Sequence, residues 1–329
     1  MLLLALFALG VLILGRTGFL DDGGFLGGGL GSTGASAVRY QAIRDAGDLE
    51  RVFGTAGYDL PAVAAGDAPA PQLFVDRLPP GWAALPPADR QRLFIEAMLP
   101  PILSVNAQLN GLRDRLATVA DARDAAALSD TELALVADLS AVLASDAGAP
   151  EAARAAAMAD PMATARGLAA RIGPLPVGLT LAQAAQDSDW GVQAEAMGGR
   201  VLPAEPGYDP AGPFASPYQP PGRMSGAADG AAAGPPGLWT QLMARAMALA
   251  FAPGHAEFRA LREEMEAAHE PLRGAALAAA LAGDGTGDAL QAIVATHGLE
   301  AYDTARLDRP PALVLVHRPG KSNRSEPSG

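Results

Sequence analysis

From Pro86 onward the apolar positions fall at helical spacing. Leu93, Phe94, Ala97, Met98, Ile102, Val105, Leu109, Leu112 and Leu116 recur three or four residues apart, which predicts a long helix with one face turned inward. Pro100-Pro101 interrupts that run, so a kink or a restart is expected there, because proline removes a donor and crowds the preceding turn. Ser129 with Glu132 forms a capping-box pattern ahead of Leu133 to Leu143. Pro150 and Pro161 stand where first helical positions would fall. A helix is expected over 177–188, and others over Leu238 to Phe251, His255 to Glu270, Leu272 to Ala282 and Asp288 to His297, with Gly283 and Gly298 as C-caps. The pattern is that of a mostly α fold. Between two of these helices, Gly198 to Pro236 is rich in proline and glycine and too long for an ordinary connection. It reads as a functional lobe or a disordered segment.

The two ends of the chain read differently. Met1 to Gly15 is apolar without a charge. As a helix it would reach roughly 22 Å, short of the ~30 Å hydrocarbon core, which suits the apolar part of an export signal. The basic residue that usually precedes such a run is missing, and Arg16 follows it instead. Residues 1–20 are therefore expected to be a signal sequence or membrane anchor, the competing reading being an apolar helix of a cytoplasmic core. Residues 21–37 form a glycine-rich tether, 38–85 an N-terminal arm that is only partly ordered, 86–307 the helical domain, and 308–329 a C-terminal tail. The glycines of the tether make no phosphate loop, since no strand precedes them and no Lys-Ser follows. This places the body of the protein outside the cytoplasm, periplasmic or held at the inner membrane.

Composition narrows the partners. The net charge of −12 argues against nucleic acid or anionic lipid surfaces. The absence of cysteine excludes disulfides, zinc-thiolate sites and thiol catalysis.

The segment that carries candidate chemistry is Leu181-Ala182-Gln183-Ala184-Ala185-Gln186-Asp187-Ser188-Asp189-Trp190-Gly191. It reads as the end of an apolar helix that delivers a carboxylate and a tryptophan into a glycine turn. A carboxyl at a helix end beside an indole is an environment in which a proton donor can stay protonated at neutral pH. The segment resembles the catalytic helix of the bacterial Bax-type glucosaminidases (endo-β-N-acetylglucosaminidase-like), whose pattern is LAQAA, any residue, ES, any residue, WG. Two more blocks carry the resemblance. One is Pro71-Gln72-Leu73-Phe74-Val75, Leu78-Pro79, Arg92-Leu93-Phe94-Ile95-Glu96-Ala97-Met98-Leu99-Pro100-Pro101-Ile102-Leu103 and Asn106. The other is Leu238-Trp239, Glu257-Phe258-Arg259-Ala260-Leu261-Arg262, Leu272, Gly274 and Leu277-Ala278. The resemblance implies a lysozyme-like helical domain acting on the glycan strands of peptidoglycan, with no cofactor and no metal.

The chain departs from the family where the chemistry sits. Asp187 occupies the position of the catalytic glutamate. Its carboxyl is retracted by roughly 1 Å, and a misplacement of that size can cost on the order of 100-fold, or about 2.7 kcal/mol of barrier. The family's N-x-LFG turn should fall near Gly198 to Pro203, where its asparagine and phenylalanine are absent. Arg245 stands at a tyrosine position, and Ala248, Leu249, Ala250 and Ala252 stand in the family's NLN-x-H run. Gly283 to Gly287 replaces a YSERG motif. Scaffold positions persist while polar cleft positions are lost, as expected where packing still matters and hydrolysis is weakened or gone.

The candidate site is then Asp187 as general acid, with Trp190, Glu195, Asp209 and Arg245 as groove residues. Glu195 and Asp209 are candidates for a second carboxylate; Asp189 is not, since residues two apart do not share a helix face. Trp239 reads as core. The four histidines lack metal spacing. Asp284, Thr286 and Asp288 alternate as in a calcium loop but lack its closing glutamate, so they read as helix-capping residues. Glu263, Glu264 and Glu266 read as a solvated helix face. Three functions fit: a glycan hydrolase of reduced activity, a non-catalytic peptidoglycan- or protein-binding scaffold, and an accessory subunit of a membrane complex.

Overall fold

The fold is organised around one long helix that is buried on every side along its middle. In the computed structural model, which describes residues 38–144, 148–197, 199–203, 237–270, 272–281, 286–309 and 311–318, residues 93–105 are all buried. A helix apolar all round belongs inside a protein rather than on its face. The expected restart at Pro100-Pro101 does not occur: the helix runs unbroken from Pro87 to Ala120 with both prolines inside it. Two interior prolines cost about 3 kcal/mol or more each, and burial of Phe94, Met98, Leu99 and Ile102 around them offsets that loss at about 1.5–3 kcal/mol per large side chain.

Residues 38–85 are ordered rather than a partly ordered arm. They form β1 (Arg39–Ile43), α1 (Ala46–Thr55), α2 (Leu60–Ala64) and β2 (Leu73–Val75) ahead of α3 (Pro87–Ala120). Asp45 and Asp59 cap α1 and α2 by accepting from backbone N–H groups three residues on. Ile43, Leu49, Phe53, Leu60, Val63 and Phe74 join the core.

The chain divides into two compact units. Among the described residues, one unit is 110–170, the last part of α3 followed by α4 (Asp130–Leu143), α5 (Pro150–Ala159) and α6 (Pro161–Arg171). Pro150 and Pro161 open their helices as expected, and the Ser129–Glu132 capping box is formed in both directions. Arg154 pairs with Asp138, and Arg166 donates to the Ala120 carbonyl.

The other unit holds the remaining helices and a small sheet. Besides α1, α2 and the first part of α3, its helices are α7 (Val177–Ser188), α8 (Leu238–Phe251), α9 (Ala256–Ala267), α10 (Gly274–Leu281) and α11 (Thr286–Thr296). The sheet was not foreseen. β3 (Leu313–His317) lies at its centre, parallel to β1 on one side and β2 on the other. Residues expected as a tail thus include the central strand. The run Leu313-Val314-Leu315-Val316 is a short, continuous apolar stretch of the kind that buried parallel strands show.

The apolar N-terminal run, the glycine tether, nearly all of the proline-rich segment, Gly283 and the chain beyond Arg318 lie outside the described residues. No helix among the described residues is long and apolar enough to cross a membrane.

Candidate functional site

The helix that bears Asp187 is fixed at both ends by side chains from distant parts of the chain. At its start, the Asn106 amide grips the backbone of Leu175: Nδ2 donates to the Leu175 carbonyl at 2.9 Å, and the Leu175 N–H donates to Oδ1 at 2.7 Å. Asp303 then accepts from Gly178 N–H at 2.7 Å and from Gly274 N–H at 3.3 Å. One carboxylate therefore serves the first turns of both α7 and α10, where orphan donors and the helix dipole favour negative charge. Glycine is required at both positions by close approach. A Cβ on Gly178 would lie 2.8 Å from the Leu299 carbonyl oxygen, and one on Gly274 would lie 2.7 Å from Leu179 N.

At its other end α7 runs into a strained turn. Asp189 and Trp190 both take left-handed backbone angles, with φ of 49° and 53°, and Gly191 follows at 88°. A non-glycine residue there costs roughly 1–2 kcal/mol, so two in succession persist only where their surroundings dictate it. The surroundings are specific. Ser188 Oγ, fully buried, donates to the Ala184 carbonyl at 2.6 Å and accepts from Gly191 N–H at 2.9 Å. Trp82 Nε1 donates to the Trp190 carbonyl at 2.6 Å. The Trp190 ring meets Phe94 and His297 edge-on, at centroid separations of 5.7 and 4.6 Å.

Asp187 itself sits half-buried in the last turn of α7, and Trp190 is half-buried between its two ring neighbours. Glu195 is exposed in the turns that follow. Arg245 is half-buried on α8, while Asp209 lies outside the described residues. Trp239 is buried, as expected of a core residue. Glu263 and Glu264 are exposed on α9. Among the described residues no group of acidic or histidine side chains could hold a metal ion.

Several residues that build the site were not singled out by the sequence. Gln241, buried on α8, clamps the turn after the strained one: its Oε1 accepts from Val201 N–H at 2.9 Å, and its Nε2 donates to the Gly199 carbonyl at 3.2 Å. Trp82 likewise holds the backbone of the strained turn, and Asp303 the starts of α7 and α10. The sequence signals were faint. Gln241 looks like one polar residue in an apolar helix, and Trp82 sits in a proline- and glycine-rich loop.

The electrostatics single out three groups of this unit that are buried or half-buried. Burial raises the Glu96 carboxyl above the ordinary range even though Arg92 lies beside it. Burial raises Asp303 likewise, against the N–H groups that it accepts from. The Tyr58 hydroxyl is pushed well up by burial and then by the charge of Glu96.

No protein-family model matches this chain, and neither does any curated protein or solved structure.

Proposed function

We propose that this chain is a divergent Bax-type glucosaminidase, a lysozyme-like domain held outside the cytoplasm against peptidoglycan, in which glycan-strand hydrolysis is weakened or lost. The observation that carries the reading is a half-buried carboxyl, Asp187, in the last turn of a buried helix that ends in a strained left-handed turn. Strain of that kind is retained where a geometry is worth its cost. A second support is that the three resembling blocks supply parts that fix α7 and the turns that follow it. Asn106 and Phe94 come from the first block, Ser188 and Trp190 from the second, and α8, with Gln241, begins at the third block's Leu238-Trp239.

In a hydrolytic reaction, Asp187 donates its proton to the leaving glycosidic oxygen. A second carboxylate, or the N-acetyl group of the sugar itself, stabilises the cationic centre. The test is release of reducing ends from purified peptidoglycan. If Asp187 is a surviving acid, Asp187→Glu preserves or raises cleavage by restoring reach, and Asp187→Asn abolishes it. Wild-type cleavage that survives Asp187→Asn overturns the assignment of the acid.

The second reading, a peptidoglycan-binding scaffold without hydrolysis, is favoured by Ala248 and Ala250 on α8, where the resemblance places asparagines; Ala250 is buried. It predicts co-sedimentation with peptidoglycan, no release of reducing ends, and no change in either on Asp187→Asn. The third reading, an accessory subunit anchored through residues 1–20, predicts neither binding nor cleavage.

A further inference from the structure

One short segment touches α7 at both of its ends. It follows α11 and runs from His297 to Asp303. At the start of α7, Asp303 accepts from Gly178 N–H, and the Leu299 carbonyl lies where a Cβ on Gly178 would clash. At the other end, the His297 ring meets the Trp190 ring at a centroid separation of 4.6 Å and an interplanar angle of 65°. Gly298, at φ of 61°, ends α11 between these contacts and supplies the left-handed turn that the chain needs there. The two rings that flank Trp190 differ in kind. Phe94 is fully buried in α3, so the core holds it with or without Trp190. His297 is half-buried at the end of α11, and its ring lies against Trp190.

We infer that His297 is a positioning residue for Asp187: through the Trp190 ring it holds the left-handed turn at Asp189 and Trp190, and that turn fixes the last turn of α7, where the Asp187 carboxyl sits. The backbone angles of Trp190 set the direction in which its side chain leaves the chain. A return to ordinary negative φ, which chirality favours for a non-glycine residue, would swing the indole away from both neighbouring rings. An indole held on two sides therefore opposes relaxation of the backbone. The bond from Trp82 to the Trp190 carbonyl and the bonds of Ser188 act on the main chain alone. His297 acts on the side chain, and from a segment that also fixes the start of α7. An edge-to-face ring pair shifts an equilibrium by roughly two- to tenfold. Loss of the His297 ring should raise the relaxed population of the turn by that factor without unfolding the unit. The consequence for catalysis rests on the reading of Asp187 as an acid; the positioning of the turn does not.

The full chain labelled with 5-fluorotryptophan tests this, since its three tryptophans give three fluorine signals and Trp190→Phe identifies one of them. His297→Ala should move or broaden the Trp190 signal and leave that of Trp239 in place. Exchange of the Gly191 amide, which donates to Ser188 Oγ, should quicken roughly two- to tenfold. His297→Phe, which keeps a ring and removes the imidazole, should restore both. In the wild type itself, the indole ring current should displace the carbon-bound ring protons of His297 from those of exposed His269; this measurement needs no variant, and coincidence of the two overturns the contact. Where wild type releases reducing ends from peptidoglycan, His297→Ala should lower kcat and leave KM unchanged, and His297→Phe should recover the rate. An unmoved Trp190 signal with unchanged Gly191 exchange in His297→Ala overturns the inference, as does a His297→Phe chain no better than His297→Ala. Wild type that neither binds nor cleaves peptidoglycan, while the Trp190 signal responds as expected, refutes the glucosaminidase reading and leaves the positioning role standing.

Discussion

Gly191→Ala tests the turn that ends α7 more directly than any change at Asp187. Gly191 has φ of +88°, and a Cβ built on it would lie 2.5 Å from Trp82 Nε1 and 2.7 Å from Leu78 Cδ1. Three costs follow. An alanine in the left-handed region costs about 1 kcal/mol. Displacing two packed side chains costs about 1–3 kcal/mol. Moving the Trp82 indole breaks its bond to the Trp190 carbonyl, a further ~1 kcal/mol. The sum is about 3–5 kcal/mol, a fall in Tm on the order of 10 °C for a unit of this size. Gly57→Ala separates the contributions, because Gly57 also has positive φ (+68°) but nothing within 4 Å of a new Cβ. It should cost only the conformational ~1 kcal/mol. Thermal unfolding followed by circular dichroism, with tryptophan emission as the local probe, measures both. Trp82→Phe completes a double-mutant cycle: without the indole N–H in the way, Gly191→Ala should cost less than in the wild type. Equal losses for Gly191→Ala and Gly57→Ala, or strict additivity with Trp82→Phe, would refute the account of a turn locked by Trp82.

Asn106→Ala should destabilise by about 2–4 kcal/mol, because it leaves the N–H and carbonyl of buried Leu175 without their partner; chemical denaturation checks this, and a loss under 1 kcal/mol would show the grip to be dispensable. Asp303→Ala should cost about 2–3 kcal/mol through loss of acceptors at two helix starts, and Asp303→Asn less, since an amide oxygen still accepts. The Asp303 carboxyl is raised by burial, so the native state takes up its proton more readily than the unfolded chain. The stability gap between wild type and Asp303→Asn is therefore largest below the ordinary value of 3.8 and narrows as pH rises through the folded-state value; a gap that widens with pH would reverse the sign.

The helices were legible because their signals are local. The boundaries of α7 and α8 follow from apolar spacing, and the starts of α4, α5 and α6 follow from Ser129, Pro150 and Pro161. The sheet was not legible, because each of its strands is short and gains its meaning from the others. Leu73–Val75 is three residues long, and four of the five residues of Arg39–Ile43 are exposed. Neither shows a period, and their partner lies more than 200 residues away in sequence. The restart allowed for at Pro100-Pro101 fails for a related reason. Propensity is a weak preference that tertiary burial overrides, and the flanking residues are among the most buried in the chain.

The candidate site divides along the same line. A carboxylate and an indole ahead of a glycine can be read from adjacent letters. The parts that hold them in place cannot, since Trp82, Asn106, Gln241 and Asp303 are single polar atoms placed by the fold at distances of tens to more than a hundred residues. Trp82 and Gln241 hold the turns after α7, and Asn106 and Asp303 hold its start; each bonds to backbone, so changing the side chains around the turn removes none of these bonds. The informative comparison is therefore between Gly191→Ala, which attacks the Trp82 bond, and Asp187→Asn, which attacks only the acid. If the protein works as a scaffold, the first should abolish peptidoglycan binding and the second should leave it intact.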